Sequence, residues 1–389
     1  MKMEKVDFAK PAFGPEEEDA VTRVLRSGWV VGGPNLAEFE KRCAIQSGAS
    51  EGIGVSSWTT GAFLVLKALG VGPGDEVIVP SLTFIASVNV IRHVGATPVF
   101  ADIDPRTFNI DPNDIRKKIT ARTKVILPVD QIGMPCEIDQ ILKIAAQYDL
   151  FVIHDAACSM GSSFRDSPIG SFALATIFSL HARKLITTGE GGMIVTDDTD
   201  LAAQLRVLRH QGMSVSDYSR HGKSPTVVES YGEIGYNFRI TDIQAAIGLC
   251  QLDRLQQYIH QRRLIAKRYI DVLSNNPFIE PPYVPEYACP NWQSFQVRIK
   301  PNGPLSRNEL MDQLFHLNIQ TRRGVMASHL ELPYKGSDTE LPETEKAASE
   351  CMLLPIYSTM ELHQADLVLG ALNQLYDHLS EETHGKCPK

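Results

Sequence analysis

Residues 124–155 read KVILPVDQIGMPCEIDQILKIAAQYDLFVIHD, and this stretch decides the fold class. Its apolar runs at 124–129 and 150–154 are short, rich in Val and Ile, and read as strands. Residues 137–148 between them place apolar side chains at helical spacing. A strand, a helix and a second strand in this order form the unit of a parallel sheet. Outward from it the alternation continues, with strand candidates near 52–56, 75–79, 97–101 and 175–180 and helical patterns at about 60–69, 84–94 and 111–119. Strands so uniformly apolar suit a largely parallel sheet covered on both faces. Ahead of the first strand, Gly14-Pro15 opens a helix whose first turn holds Glu16, Glu17, Glu18 and Asp19; Arg23 and Arg26 fall near its end and Gly28 follows, matching the helix dipole.

After residue 240 the pattern changes. A long helical stretch at 242–273 precedes a Pro-rich segment, 277–290, which reads as a linker. A strand at 293–299 follows, then a helix at 306–317 opened by the capping box of Ser306 and Glu309. Another strand, a loop and an amphipathic helix at 363–379 complete a smaller α+β unit. The chain is thus expected to be α/β: a large domain over 1–250 and a smaller C-terminal one over 251–389, joined through the long helix. The cleft between two such units is the default ligand site.

Composition narrows the function. The chain has 389 residues, 43% hydrophobic and 22% charged, as a globular protein of more than one structural unit does. Acidic residues outnumber basic ones 46 to 38, for a net charge of −8, which argues against coating nucleic acid or an anionic membrane. No apolar run reaches the roughly 18 to 20 residues that span a bilayer. The opening residues Met1-Lys2-Met3-Glu4-Lys5 lack the apolar core of a secretory signal, so a cytoplasmic protein is expected. The seven cysteines (Cys43, Cys136, Cys158, Cys250, Cys289, Cys351 and Cys387) are scattered without a C-x-x-C pair, as reduced thiols would be.

Several catalytic signatures are missing: H-E-x-x-H, G-x-S-x-G and G-x-G-x-x-G. Gly222-Lys223-Ser224 fails as a phosphate loop because position 217 is Asp instead of Gly. What remains lies at strand ends. Ser56-Ser57-Trp58-Thr59-Thr60-Gly61 joins a strand to a helix, so its hydroxyls and N–H groups either cradle an anion or simply cap the helix. Asp155 ends the apolar strand 150–154 and needs a partner, either a neighbouring Arg or a protonated heterocyclic nitrogen. Lys184 follows a third strand and enters the glycine-rich Thr187-Thr188-Gly189-Glu190-Gly191-Gly192-Met193; a partly dry amine there is suited to covalent carbonyl chemistry, although a surface lysine at a strand end is the commoner case. An anion cradle, a strand-end carboxylate and a lysine, in that chain order, are the parts a pyridoxal 5′-phosphate enzyme needs.

With those residues in view, the sequence resembles the DegT-type sugar aminotransferases, a branch of the fold type I (aspartate aminotransferase-like) pyridoxal phosphate enzymes. The resemblance rests on Gly72–Pro80, Thr83-Phe84, Gly95–Phe100, Asp155-Ala156-Ala157, Phe178–Lys184, Thr187–Met193, Gly235-Tyr236-Asn237-Phe238-Arg239 and Thr241–Gly248. It implies a large domain with a mostly parallel mixed sheet flanked by helices, and that Lys184 is the Schiff-base lysine and Asp155 the partner of the pyridine nitrogen. It further implies that Thr59, Thr60 and Ser179 hold the phosphate, that Phe84 stacks on the ring, and that Asn237 reaches the phosphate from the second subunit of a homodimer. His329 matches a histidine near the active-site mouth, and Trp29 and Arg323 lie on loops expected to meet substrate.

Two departures stand out. Cys158 replaces the Gln that contacts the ring hydroxyl, and a thiol is the weaker donor. Trp58 occupies a place where the phosphate loop carries a small residue, so its indole must turn away from the phosphate or line the substrate pocket.

The implied reaction moves an amino group from an amino acid, glutamate by expectation, to a nucleotide-linked keto sugar in deoxyamino-sugar synthesis. Rival readings are a sugar dehydratase of the same fold, which carries His in place of Lys184, and a non-catalytic pyridoxal phosphate-binding regulator. Among other residues, His154 and His181 read as packing groups, because no carboxylate or second His stands at metal-ligand spacing. Arg322-Arg323 reads as a solvated face or a site for an acidic substrate group, and the basic stretches 206–210 and 262–268 read as exposed helix faces. Substrate choice is expected to reside in loops near 29–34, 211–230 and 323–334 and at Trp58.

Overall fold

The computed structural model describes residues 4–215, 228–336 and 339–384. Residues 216–227, which include Gly222-Lys223-Ser224 and part of the pocket loop 211–230, lie outside the described residues. In chain order the first elements are α1 (Pro15–Ser27), α2 (Pro34–Gln46), β1 (Glu51–Val55), α3 (Trp58–Ala68), β2 (Glu76–Pro80), α4 (Ala86–His93), β3 (Thr97–Ala101), α5 (Pro112–Lys118), β4 (Thr123–Ile126), α6 (Ile138–Tyr148) and β5 (Phe151–Asp155). There follow β6 (Ser163–Phe164), β7 (Ser167–Pro168), β8 (Ala175–Ser179), β9 (Gly192–Thr196) and α7 (Thr199–Leu208).

Seven of these strands form one mixed sheet in the order β1-β9-β8-β5-β4-β2-β3. The pairs from β8 to β3 are parallel, while β9 runs antiparallel to both β1 and β8. The mostly parallel, mixed sheet that the resemblance implies is present, and its antiparallel member is β9, a strand not singled out in the sequence. Successive side chains on each strand enter opposite cores. Val77, Val79, Ile153 and Ile177 pack with α3, α4 and α7, whereas Ile78, Val152 and Phe178 pack with α2 and α6.

Helix α2 was also not foreseen, and the reason is physical. Its N-cap, Gly33, has no side chain; the cap comes instead from Asp242, whose carboxylate accepts from the N–H groups of Gly33 and Leu36 at 2.8 and 2.9 Å. A cap supplied from about 200 residues away leaves no local signature.

The helical stretch 242–273 is two helices, Asp242–Asp253 and Leu255–Leu273, broken at Arg254 (φ −99°, ψ 2°). The first packs on α1 and α2; the second keeps Leu255, Tyr258 and Ile259 in the core shared with α2 and α6 and carries Ile265, Ala266, Tyr269 and Leu273 into a different core. That core lies on a four-stranded antiparallel sheet in the order β10-β12-β14-β13, where β10 is Ile279–Glu280, β12 is Phe295–Ile299, β13 is Arg322–Arg323 and β14 is Cys351–Leu354. Tyr269, Phe295, Leu314, Met352 and Leu372 pack there. The Pro-rich segment does more than link, because Ile279–Glu280 pairs with β12 and β11 (Ala288–Cys289) pairs with β6. Its prolines fall outside those two-residue strands, where the missing N–H costs no ladder bond.

The basic stretches are not exposed faces throughout. Arg262 is 3% exposed and donates to the carbonyls of Trp292, Gln293 and Ile356, and burial pulls its guanidinium down to about 10. Arg209 is ion-paired with Glu40, and His210 is buried. Long cationic side chains look solvated in a sequence; only packing shows which carbonyls they reach.

Candidate active site

Parallel strands bring their carboxyl ends to one edge of the sheet, where α/β proteins bind ligands. Here that edge collects the turn after β1, Asp155 at the end of β5, and Ser179 with the lysine loop after β8.

The turn after β1 caps α3. Ser57 Oγ accepts from the Thr60 N–H at 3.1 Å, and Thr60 Oγ1 in turn accepts from the Ser57 N–H at 3.0 Å. The capping function is therefore present, with the half-buried Thr59 and Thr60 on the first turn of the helix. Gly192 lets β9 press against this turn, since a Cβ there would stand 2.6 Å from the Ser57 carbonyl carbon and 2.8 Å from the Trp58 nitrogen. The Trp58 indole turns away into the core, 6% exposed, and donates from Nε1 to the Ile177 carbonyl at 3.1 Å.

Asp155 is 3% exposed. Its carboxylate accepts from Ser87 Oγ at 2.7 Å and from the Ala157 N–H at 3.0 Å, both neutral donors. Burial pushes it up from 3.8 to about 6, against the pull of those two hydrogen bonds and of the charges on Lys184 and His154. Lys184 is half-buried, and its Nζ donates to the half-buried Cys158 Sγ at 3.0 Å. The lysine loop is folded back on itself: Lys184 N–H donates to His181 O, Thr188 N–H to Leu180 O, and Leu180 N–H to Gly191 O. Phe84, just before α4, presents a ring that is 65% exposed. These groups suit a flat heterocycle with a protonated ring nitrogen and an anionic tail. Among the described residues Asp155 has no cation at hydrogen-bonding distance, Lys184 offers an amine, and the start of α3 has N–H groups that could meet an anion.

His154 needs a correction. It points to the other face of β5, and a carboxylate does stand beside it: Nε2 lies 2.8 Å from Asp130 Oδ1 and 3.7 Å from Cys136 Sγ, all three buried. Parallel pairing of β4 with β5 brings residue 130 next to 154, a proximity that spacing along the chain hides. The two share one hydrogen bond, while Asp130 Oδ2 and His154 Nδ1, both buried, have no hydrogen-bond partner among the described residues. His181 instead faces Glu190, Nε2 to Oε1 3.7 Å.

The remaining sequence candidates sit further out. Asn237 is exposed and pairs through its backbone with His210. His329 is buried; its Nδ1 lies 2.6 Å from Ser81 Oγ and its Nε2 3.4 Å from Glu345. Trp29 is half-buried and donates from Nε1 to Gly32 O at 3.4 Å, in the turn that leads into α2. Arg323 is exposed on the edge strand β13, beside Arg322, whose guanidinium lies over Phe8 at 5.3 Å. Sequence reasoning missed Ser87, although the hydroxyl-rich run Ser81–Ser87 ahead of an apolar helix was a signal that could have found it.

Comparison with known proteins agrees with this geometry. The model of the DegT/DnrJ/EryC1/StrS aminotransferase family matches residues 11–373. The chain is 37% identical over 374 residues to the spore coat polysaccharide biosynthesis protein SpsC of Bacillus subtilis, covering 95% of this chain and 96% of SpsC. Among solved structures it is similar to S. venezuelae DesV (TM-score 0.88, 32% identity, 96% of this chain and 99% of that one). It is likewise similar to the PMP form of the putative sugar aminotransferase Spr1654 from Streptococcus pneumoniae (TM-score 0.90, 28% identity, 96% of this chain and 100% of that one). A match that spans the seven-stranded and four-stranded sheets and every strand-end group described above leaves one assignment: the chain belongs to the DegT/DnrJ/EryC1/StrS aminotransferase family.

Proposed function

We propose that this protein is a pyridoxal 5′-phosphate-dependent aminotransferase that moves an amino group from an amino acid, glutamate by preference, to a nucleotide-linked keto sugar in deoxyamino-sugar biosynthesis. The observation that carries the reading is the buried Asp155, met among the described residues by neutral donors on an edge it shares with the amine of Lys184. When bound, the cofactor supplies an electron sink and an aldehyde that carries the amino group. Asp155 would keep its ring nitrogen protonated, and Thr59, Thr60 and Ser179 would hold its phosphate near the start of α3. Phe84 would cover one ring face, and Cys158 would lie at the ring's edge against Lys184. Lys184 Nζ would hold the cofactor covalently, be released by the donor amine, take up the proton from the donor's α-carbon and deliver one to the sugar carbon that is aminated. Trp29, His329 and Arg323 are assigned to the substrate side, and the protein is read as a cytoplasmic homodimer in which Asn237 completes the partner's phosphate site.

Two measurements test this. Mass spectrometry of products from a panel of nucleotide-linked keto sugars with glutamate should show an amino sugar; turnover of none of them would reject the substrate class. Borohydride treatment of the loaded protein should fix the cofactor's mass on the peptide bearing Lys184, and label on any other lysine would overturn that residue's role. Lys184→Ala should still bind cofactor but lose turnover by several orders of magnitude.

A further inference from the structure

A chain of hydroxyls stands behind Asp155. Ser87 Oγ, on the first turn of α4, donates to Asp155 Oδ2 at 2.7 Å and lies 3.0 Å from Thr83 Oγ1. Ser87, Thr83 and Asp155 are all 3% exposed or less, so water does not compete for these bonds. Thr83 is itself clamped by a segment next to the smaller sheet: its N–H donates to Met326 O at 3.2 Å, and its carbonyl accepts from Ser328 Oγ at 2.9 Å. Ser328 N–H donates in turn to Ser81 O, and Leu82 bridges Ala327. The backbone that aims the Ser87 hydroxyl is therefore fixed from two sides. The other charged groups that act on Asp155 are Lys184 on the lysine loop, with Cys158 against its amine, and His154 on the opposite face of its own strand, engaged by Asp130. The hydroxyl is the side-chain donor that meets the carboxylate at contact distance.

We infer that Ser87, held by Thr83, is a positioning residue for the reaction: its hydroxyl fixes the orientation of the Asp155 carboxylate and favours its ionised form, so that the carboxylate faces the cofactor nitrogen ready to keep it protonated. The inference rests on the functional reading above but can be measured without the cofactor. A buried carboxylate that loses a hydrogen bond to its charged form holds its proton more tightly. In cofactor-free protein, Asp155 weakens the fold progressively as pH rises from about 4 to about 6, and the difference in stability between the native sequence and Asp155→Asn isolates that window.

Ser87→Ala should move the upper end of this window upward by about one pH unit, the size of one hydrogen bond to a charged group. Ser87→Thr, which keeps a hydroxyl, should leave it in place, and Ser87→Ala should move nothing in an Asp155→Asn background. Should Ser87→Ala not fold, Thr83→Val frees the serine hydroxyl and should give the same shift at smaller size. In the loaded enzyme, Ser87→Ala should lower kcat about tenfold with the KM for the amino donor unchanged. A loss of stability equal at every pH, or a shift that persists without the Asp155 carboxylate, would reduce Ser87 to a packing residue and overturn the inference. If the window shifts as described while the native protein aminates no keto sugar, the functional reading fails and the hold of Ser87 on Asp155 stands.

Discussion

Asp155 sits at the end of β5, almost wholly buried, and is met by one hydroxyl and one peptide N–H. Neutral donors offset part of the cost of desolvating a carboxylate, and the remainder appears as the rise from 3.8 to about 6. The sign of the stability effect follows. Below about pH 4 the group is protonated in both folded and unfolded chains and costs nothing. Between about 4 and 6 the unfolded chain releases a proton that the folded one keeps, so stability falls as pH rises, and above 6 the full penalty applies. Cofactor-free Asp155→Asn should therefore be more stable than the native sequence at pH 7.5, by up to about 3 kcal/mol, and no more stable at pH 4. Thermal unfolding at the two pH values checks this. Loading with cofactor should reverse the order at pH 7.5, because only the carboxylate can pair with a protonated ring nitrogen.

At the scale of elements, the junction of β9 with α3 positions the turn proposed to bind the cofactor's phosphate. Gly192 opens β9 and touches the Ser57-Trp58 backbone at a distance no side chain allows. Gly192→Ala must push one of two buried elements aside, at a cost of about 1–3 kcal/mol. One of the two is the turn that carries Thr59 and Thr60, so cofactor affinity is expected to fall together with stability. Urea unfolding and a cofactor titration measure the two effects, and Gly232→Ala, whose new methyl would meet nothing within 4 Å, is the control. Unchanged affinity in a destabilised Gly192→Ala would detach the start of α3 from phosphate binding. Helix α2 shows the same dependence on a distant partner, because its cap is the carboxylate of Asp242.

For the whole molecule, the single chain leaves large apolar side chains in solvent: Phe84 at 65%, Val228 at 87% and Ile234 at 89%. Ile234 lies three residues before Asn237, so the segment that carries an exposed amide also carries apolar surface to bury. A second copy of this chain, related by a two-fold axis, is the simplest cover. Complementation tests it: inactive Lys184→Ala mixed with an Asn237→Asp variant should regain activity as subunits exchange, since one site of each hybrid dimer holds both native residues. Exchange without recovered activity, or an active monomer, would end the shared-site proposal. Among the described residues no helix is long and apolar enough to cross a membrane.

The order of strands and helices was readable because apolar periodicity is local: the runs at 124–129 and 150–154 are strands wherever they pack, and β4 and β5 form there. Asp155 and Lys184 stood out for a related reason, since each ends or follows an apolar run that must be buried. What the sequence withheld depends on contacts between distant residues. It did not show that Asp242 caps α2, that the helical stretch 242–273 breaks at Arg254 and runs on from one core into a second, or that Arg262 is buried among backbone carbonyls. Nor did it place Asp130 beside His154, or Ser87 against Asp155 with a separation of 68 residues. Burial and hydrogen-bond partnership belong to the packed chain: local sequence specifies which segments carry apolar faces, and only their assembly decides which polar groups are shut in together and must satisfy one another.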